Sequence, residues 1–226
     1  MLLFREYGPD APDELQLDCT VLIPPGGAPG TVSFGVCYSG PEASAERALS
    51  PLRALGEPLA EETRRLDYAV LQRSGDISDP RAQANYTKSG FVNEIPERLI
   101  EAALSGFEGH PNRMTQIFIQ QGGGAISRVA SDATAFPQRS ALGNMLAMVG
   151  WRFGDDSAEH VRWIQDYWSR IEPFTDGFYV NDVEDGDTTA AVRDTYRQNH
   201  ARLVAVKNRY DPRNLFRLNA NILPTV

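Results

Sequence analysis

Metal-binding side chains are scarce in this chain. It has two cysteines and three histidines in 226 residues. His110, His160 and His200 stand singly, and neither cysteine has a partner at metal-ligand spacing, so no metal site is expected. Lys and Arg are also short, 22 against 30 Asp and Glu, for a net charge of −8. Binding to nucleic acid or an anionic membrane needs clustered cations, so both are excluded and small neutral or cationic partners stay open. No apolar run approaches the roughly 18 residues of a membrane span. Met1-Leu2-Leu3-Phe4-Arg5 lacks the apolar core of a secretion signal, and a cytoplasmic location is expected. Cys19 and Cys37 fall in consecutive strand-like segments. A disulfide between neighbouring strands is possible there, but two buried free thiols fit a reducing compartment better.

Periodicity organises what is present. Residues 14–23 and 31–38 alternate at period two around Pro24-Pro25-Gly26-Gly27 and read as an antiparallel hairpin. Ser39-Gly40-Pro41-Glu42 then opens a helix with Ala45, Ala48, Leu49, Leu52 and Leu55 on one stripe, closed by Gly56. Residues 66–73 suit a short helix or a strand. A strand is expected over 85–92, a helix over 95–106 and a strand over 115–120. Ala125–Val129 reads as a short extended piece, 144–153 as a further strand, and 156–172 as a helix opened by Asp155 or Asp156. The last helix begins near Thr188-Thr189, and Asp211-Pro212 ends it. Its stripe runs Val192, Tyr196, Asn199, Leu203, Val206, Tyr210 in steps of four and three. This order predicts an α+β fold, one antiparallel sheet with helices packed mainly on one face.

Few residues carry chemistry on their own. Gly122-Gly123-Gly124 follows a strand without a helix start behind it, so a close backbone approach suits it better than a phosphate cradle. Arg139, in the loop 132–139, either binds a substrate carboxylate or pairs with a structural acid. The acid pairs Asp155-Asp156 and Glu184-Asp185 suit helix starts and solvated turns. Asn199 interrupts an apolar stripe, so its buried amide needs partners, with Tyr179-Val180-Asn181 as one source. Tyr179 is a phenol on a short extended piece, able to pack or to act as a base.

Together these pieces resemble the C-terminal region of berberine bridge enzyme-like FAD-linked oxidases. The resemblance rests on Tyr179-Val180-Asn181, Tyr196-x-x-Asn199-x-x-Arg202-Leu203, Lys207-x-x-Tyr210-Asp211-Pro212-x-Asn214-x-Phe216-Arg217 and Asn219-x-Asn221-Ile222. Residues 86–91, 123–129, 133–139 and 51–56 extend it over nearly the whole chain. It implies a ferredoxin-like-type substrate-binding domain over residues 1–175, with a C-terminal segment, 176–226, packing on the same unit. It also implies an FAD cofactor and an FAD-binding domain or subunit supplied in cis or trans, since nothing here resembles that domain. By the same resemblance Tyr179 is the catalytic candidate, Asn181, Asn219 and Asn221 face the cofactor, and Gln120 and Arg139 face substrate. Ala220 stands where the family usually has Gln, Gln138 where His is common, and strand 144–151 offers no carboxylate. The implied activity is oxidation of an alcohol, sugar or related small molecule. The alternative is a non-catalytic module that binds a ligand or pairs with a second copy as a homodimer.

Overall fold

The computed structural model describes residues 1–74, 76, 83–107, 114–182, 189–218 and 220–226. Five strands form one antiparallel sheet: β1 (Leu15–Ile23), β2 (Thr31–Tyr38), β3 (Gln83–Val92), β4 (Met114–Gln121) and β5 (Gly143–Arg152), in the order β2-β1-β4-β5-β3. The helices are α1 (Leu2–Tyr7), α2 (Glu42–Arg53), α3 (Tyr68–Arg73), α4 (Glu97–Leu104), α5 (Gly124–Ser127), α6 (Ala158–Trp168), α7 (Thr189–Tyr196) and α8 (His200–Tyr210). None of the described helices is long and apolar enough to cross a membrane.

Alternation decides which face of the sheet is covered. Leu17, Cys19, Ile117, Ile119, Met145, Ala147 and Val149 are all buried on one face. Phe4 of α1, Leu99 and Ala103 of α4, and Ile164, Tyr167 and Trp168 of α6 join them in one core. Fully burying each large apolar side chain contributes about 1.5–3 kcal/mol, so this face supplies most of the folding free energy. Tyr167 of α6 and Arg170 just beyond it also close the end of α4. Tyr167 Oη donates to the carbonyl of Ala103, and Arg170 Nη1 donates to that of Ser105 at 3.0 Å. Both satisfy groups that a helix end otherwise leaves unpaired. A smaller cluster, Leu15, Ala48 and Leu49, seats α2.

Several expectations needed correction. Residues 66–73, which suited either a helix or a strand, contain the short helix α3, whereas Ala125–Val129 is not extended as expected: Gly124–Ser127 is a single helical turn. That turn starts inside the glycine run, where Gly123 has φ 91°. The glycines do serve a close approach, since a Cβ on Gly122 would lie 2.3 Å from the Ala141 carbonyl oxygen. The last helix is not continuous. Arg197 takes φ 50°, and residues 197–199 form a tight turn between α7 and α8. Arg197 reaches Asp176 from that conformation, so tertiary pairing overrides the stripe's local preference. Asn199 is buried as expected, but its partners are the carbonyls of Ser131 and Thr134, at 2.7 and 2.9 Å, rather than residues 179–181. Both thiols are free, Cys19 buried and Cys37 exposed. Cys19 pairs in register with Phe34 and Cys37 with Gln16, which puts the two on opposite faces, out of disulfide reach. The pair Glu184-Asp185 and the residues Thr188 and His110 lie outside the described residues.

Candidate functional site

The uncovered face of the sheet carries a different set of side chains. Residues directly opposite in an antiparallel ladder share a face, so the register reads out rows across it. One row is Gly35, Asp18, Gln120, Asn144 and Phe91. The next is Ser33, Thr20, Phe118, Leu146 and Ser89, and the third is Thr31, Leu22, Gln116, Met148 and Thr87. The first row is polar at its centre, and the next two form an apolar platform of Phe118, Leu146 and Met148.

The segment 176–182 folds against the end of the first row. Asp176 N donates to Phe91 O at 2.8 Å and Phe91 N to Gly177 O at 3.2 Å, adding a short piece of backbone to the edge of β3. Gly90 permits this, because a Cβ there would lie 2.6 Å from Thr175. Gly177 turns the chain with φ 71°, and Phe178 N is held by Thr195 Oγ1 at 3.1 Å. Tyr179 emerges beside a cavity of about 190 Å³ that is also lined by Phe91, Gln120, Phe136, Gln138 and Asn144. Phe91 and Phe136 meet edge to face with ring centres 5.5 Å apart. Gln138 is buried and anchors the wall by donating to Thr195 O at 2.7 Å.

Two of the residues assigned from sequence, Tyr179 and Gln120, are thus brought together. Tyr179 is 38% exposed, and its Oη accepts a hydrogen bond from Asn181 Nδ2 at 2.6 Å. The phenol proton is therefore free to point away from Asn181. Arg139 is not among the residues lining this cavity. Its Nε donates to Phe136 O at 3.0 Å, its Nη2 to Thr134 Oγ1 at 2.6 Å, and its guanidinium covers the Phe136 ring, so it braces the loop. Asn221 is half-buried with an unpartnered Oδ1, and Asn219 lies outside the described residues.

Asn144 and Asp182 were missed in the sequence reading. Asn144 is 9% exposed, and its Nδ2 donates to Asp182 Oδ2 at 3.4 Å while its Oδ1 is without a partner. The only signal for Asn144 was its position beside Gln120, which requires knowing that β4 pairs with β5. Asp18, in the same row, is a carboxylate whose pKa burial pushes up, against the lowering effect of Gln16, whose Nε2 donates at 2.9 Å. A larger groove of about 430 Å³ beside α2, lined by Tyr7, Glu14, Tyr38 and Arg47, contains none of the assigned residues. No group of three potential metal ligands occurs among the described residues.

The chain is thus an α+β unit: an antiparallel sheet with helices on one face, an open face polar at its centre, and a tail that folds back over its edge. Residues 178–223 match the family described as berberine and berberine like. An FAD-linked oxidoreductase of Bacillus subtilis, YgaK, is 31% identical over 194 residues, covering 83% of this chain and 42% of that protein. One from Dictyostelium discoideum is 25% identical over 228 residues, covering 99% and 48%. The fold matches a solved variant of berberine bridge enzyme with a TM-score of 0.80 at 18% identity, covering 99% of this chain and 51% of that one. It matches the carbohydrate oxidase from Microdochium nivale at 0.79 and 19%, covering 100% and 51%. The chain belongs to the berberine bridge enzyme-like family of FAD-linked oxidoreductases. It spans about half the length of the curated relatives it matches.

Proposed function

We propose that this chain is the substrate-binding and C-terminal part of an FAD-dependent oxidase, working with an FAD-binding domain in cis or trans on an alcohol, sugar or related small organic molecule. The observation that carries this is the open face itself. A sheet covered on one side by a full core presents, on the other, the Phe118–Leu146–Met148 platform beside a row of amides. A flat ring system with amide-like edges suits such a surface. The unpartnered acceptor Asn221 Oδ1 fits the same group, because it needs a donor the chain does not supply. Asn181, Asn221 and Asn219 are the residues of this chain assigned to hold it.

When bound, FAD supplies the hydride acceptor for oxidation of a substrate carbon. In this reading Tyr179, having first given up its own phenolic proton to solvent, receives the hydroxyl proton of the substrate, with Asn181 donating to the phenol oxygen at the cavity mouth. Gln120 orients the substrate from the sheet, and Phe91 and Phe136 exclude water at its far wall. The exposed side chains of Leu215, Phe216 and Leu218, 76–85% accessible, supply an apolar surface for the FAD-binding partner. A cytoplasmic setting belongs to the same reading, supported by the two free thiols.

The test is reconstitution. Mixing or co-expressing the chain with an FAD-binding domain of the family should give a complex that retains flavin absorbance near ~450 nm and oxidises substrate. Tyr179→Phe should then lower kcat by about 100-fold with flavin still bound. Failure of the chain to associate with any such domain sinks the proposal. Full activity in the Tyr179→Phe complex removes the tyrosine's role and favours the alternative, a non-catalytic ligand-binding or dimerising module.

A further inference from the structure

The state of Asn144 points to one kind of substrate. Its Nδ2 faces the Asp182 carboxylate. Because a carboxylate only accepts hydrogen bonds, that contact fixes which end of the amide is which. The other end, Oδ1, is buried at the cavity wall without a partner. It is an acceptor without a donor: Gln120 and the Tyr179 hydroxyl line the same cavity, but neither bonds to it, and the other polar side chains around it are engaged. Gln121 accepts from Leu17 N at 2.8 Å and donates to Gly8 O at 2.8 Å. Gln138 donates to Thr195 O, and the Tyr179 oxygen receives Asn181. The nearby arginines are committed too, Arg197 to Asp176 and Arg139 to its own loop. A donor carried by a ligand would fill this vacancy.

Charge narrows the ligand further. No Lys or Arg lines the cavity among the described residues. One charged group bonds the same amide: the Asp182 carboxylate, just outside the cavity lining, accepts from Asn144 Nδ2 and so lies within one side chain of the vacant acceptor. Asp18 adds a second negative charge in the same cross-strand row, two strand spacings away or about 10 Å. The Phe91–Phe136 pair supplies an aromatic wall suited to an adjacent cation.

We propose that this cavity takes the protonated amine of an amine-bearing substrate, with Asn144 Oδ1 as its hydrogen-bond acceptor and the Asp182 carboxylate as its counter-ion. The inference rests on the reading of this chain as the substrate-binding half of an oxidase, and it names the substrate class within that reading. A hydroxyl in the amine's place fills the Asn144 vacancy but gains nothing from Asp182. A carboxylate-bearing substrate is repelled by both acids. Asp182 acts here as a recognition residue, separate from the proton transfer assigned to Tyr179.

The experiment needs no flavin, so its failure is distinguishable from failure of the oxidase reading. Benzylamine and benzyl alcohol share a shape and differ in charge at pH 7. Titrating each into the full chain, followed by side-chain amide NMR signals, should show benzylamine binding about tenfold or more tightly, with the Asn144 amide shifting. In Asp182→Asn that preference should collapse toward unity, while affinity for benzyl alcohol stays within about twofold. An unchanged circular dichroism spectrum and melting temperature establish that the variant folds. Equal affinity for the two probes, binding of neither, or an undiminished preference in Asp182→Asn overturns the proposal.

Discussion

Asn199 holds the 131–134 loop by donating from one side-chain nitrogen to two backbone carbonyls, Ser131 O at 2.7 Å and Thr134 O at 2.9 Å. An amide in the turn between α7 and α8 therefore positions the loop that ends in Phe136 and Gln138, two walls of the cavity. Asn199→Ala leaves both carbonyls short of a donor and should cost about 2–3 kcal/mol, read as a lower urea midpoint. Hydrogen exchange should accelerate in residues 131–138 before it does in β4 or β5.

Gly122 is the second sensitive point. Its backbone N donates to Leu142 O at 2.8 Å, and the Ala141 oxygen occupies the space a side chain would need. Backbone cannot step aside as a side-chain tip can. Gly122→Ala should destabilise by about 1–3 kcal/mol, measured by thermal melting.

Asp18 predicts a pH dependence of a less common sign. Burial holds its pKa above the usual carboxylate value, so the unfolded chain gives up this proton more readily than the folded one. Its contribution to stability is fully present below the unfolded pKa and is lost as pH rises through the folded one. Asp18→Asn should accordingly be more stable than the parent at pH 7, with the difference shrinking as pH falls below 4. Paired denaturation curves at the two pH values decide it, and an equal or larger advantage at low pH refutes it.

Asp211 behaves oppositely. Lys207 beside it, with the Leu215 and Phe216 amides, holds its carboxyl below the usual range. The stability it provides is present above the unfolded carboxylate pKa and lost as pH falls through the depressed one. The contacts organise the turn after α8, so Asp211→Ala should loosen residues 211–218. Limited proteolysis at Arg213 and Arg217 should become faster at neutral pH, with the sheet left intact.

Much of the fold was legible because strands and helices announce themselves locally. The 14–38 hairpin, the helix after Pro41 and the strands near 85, 115 and 144 all followed from period and turn residues. Strand order did not, since the pairing of β1 with β4 and of β5 with β3 depends on contacts far apart in sequence. The break at Arg197 was hidden for a related reason. The apolar spacing continues through it, and only the distant partners Asp176, Ser131 and Thr134 make the kink favourable. The site divided similarly. Tyr179 and Gln120 could be named as candidates one residue at a time, and the structure puts both beside one cavity, whereas the Asn144–Asp182 contact is legible only as a pair.

The edge strand β2 has a practical consequence. Its eight residues, Thr31 to Tyr38, carry no charge and no proline, and Val32 and Val36 are exposed. Among the described strands it is bonded only to β1, so its outer row of backbone donors and acceptors is open to another strand. Preparations of the chain by itself should therefore self-associate through this edge with rising concentration. A single lysine placed at Val32, which lies opposite Val21 on the helix-covered face but is itself exposed at the sheet's edge, is the change that should keep them dispersed.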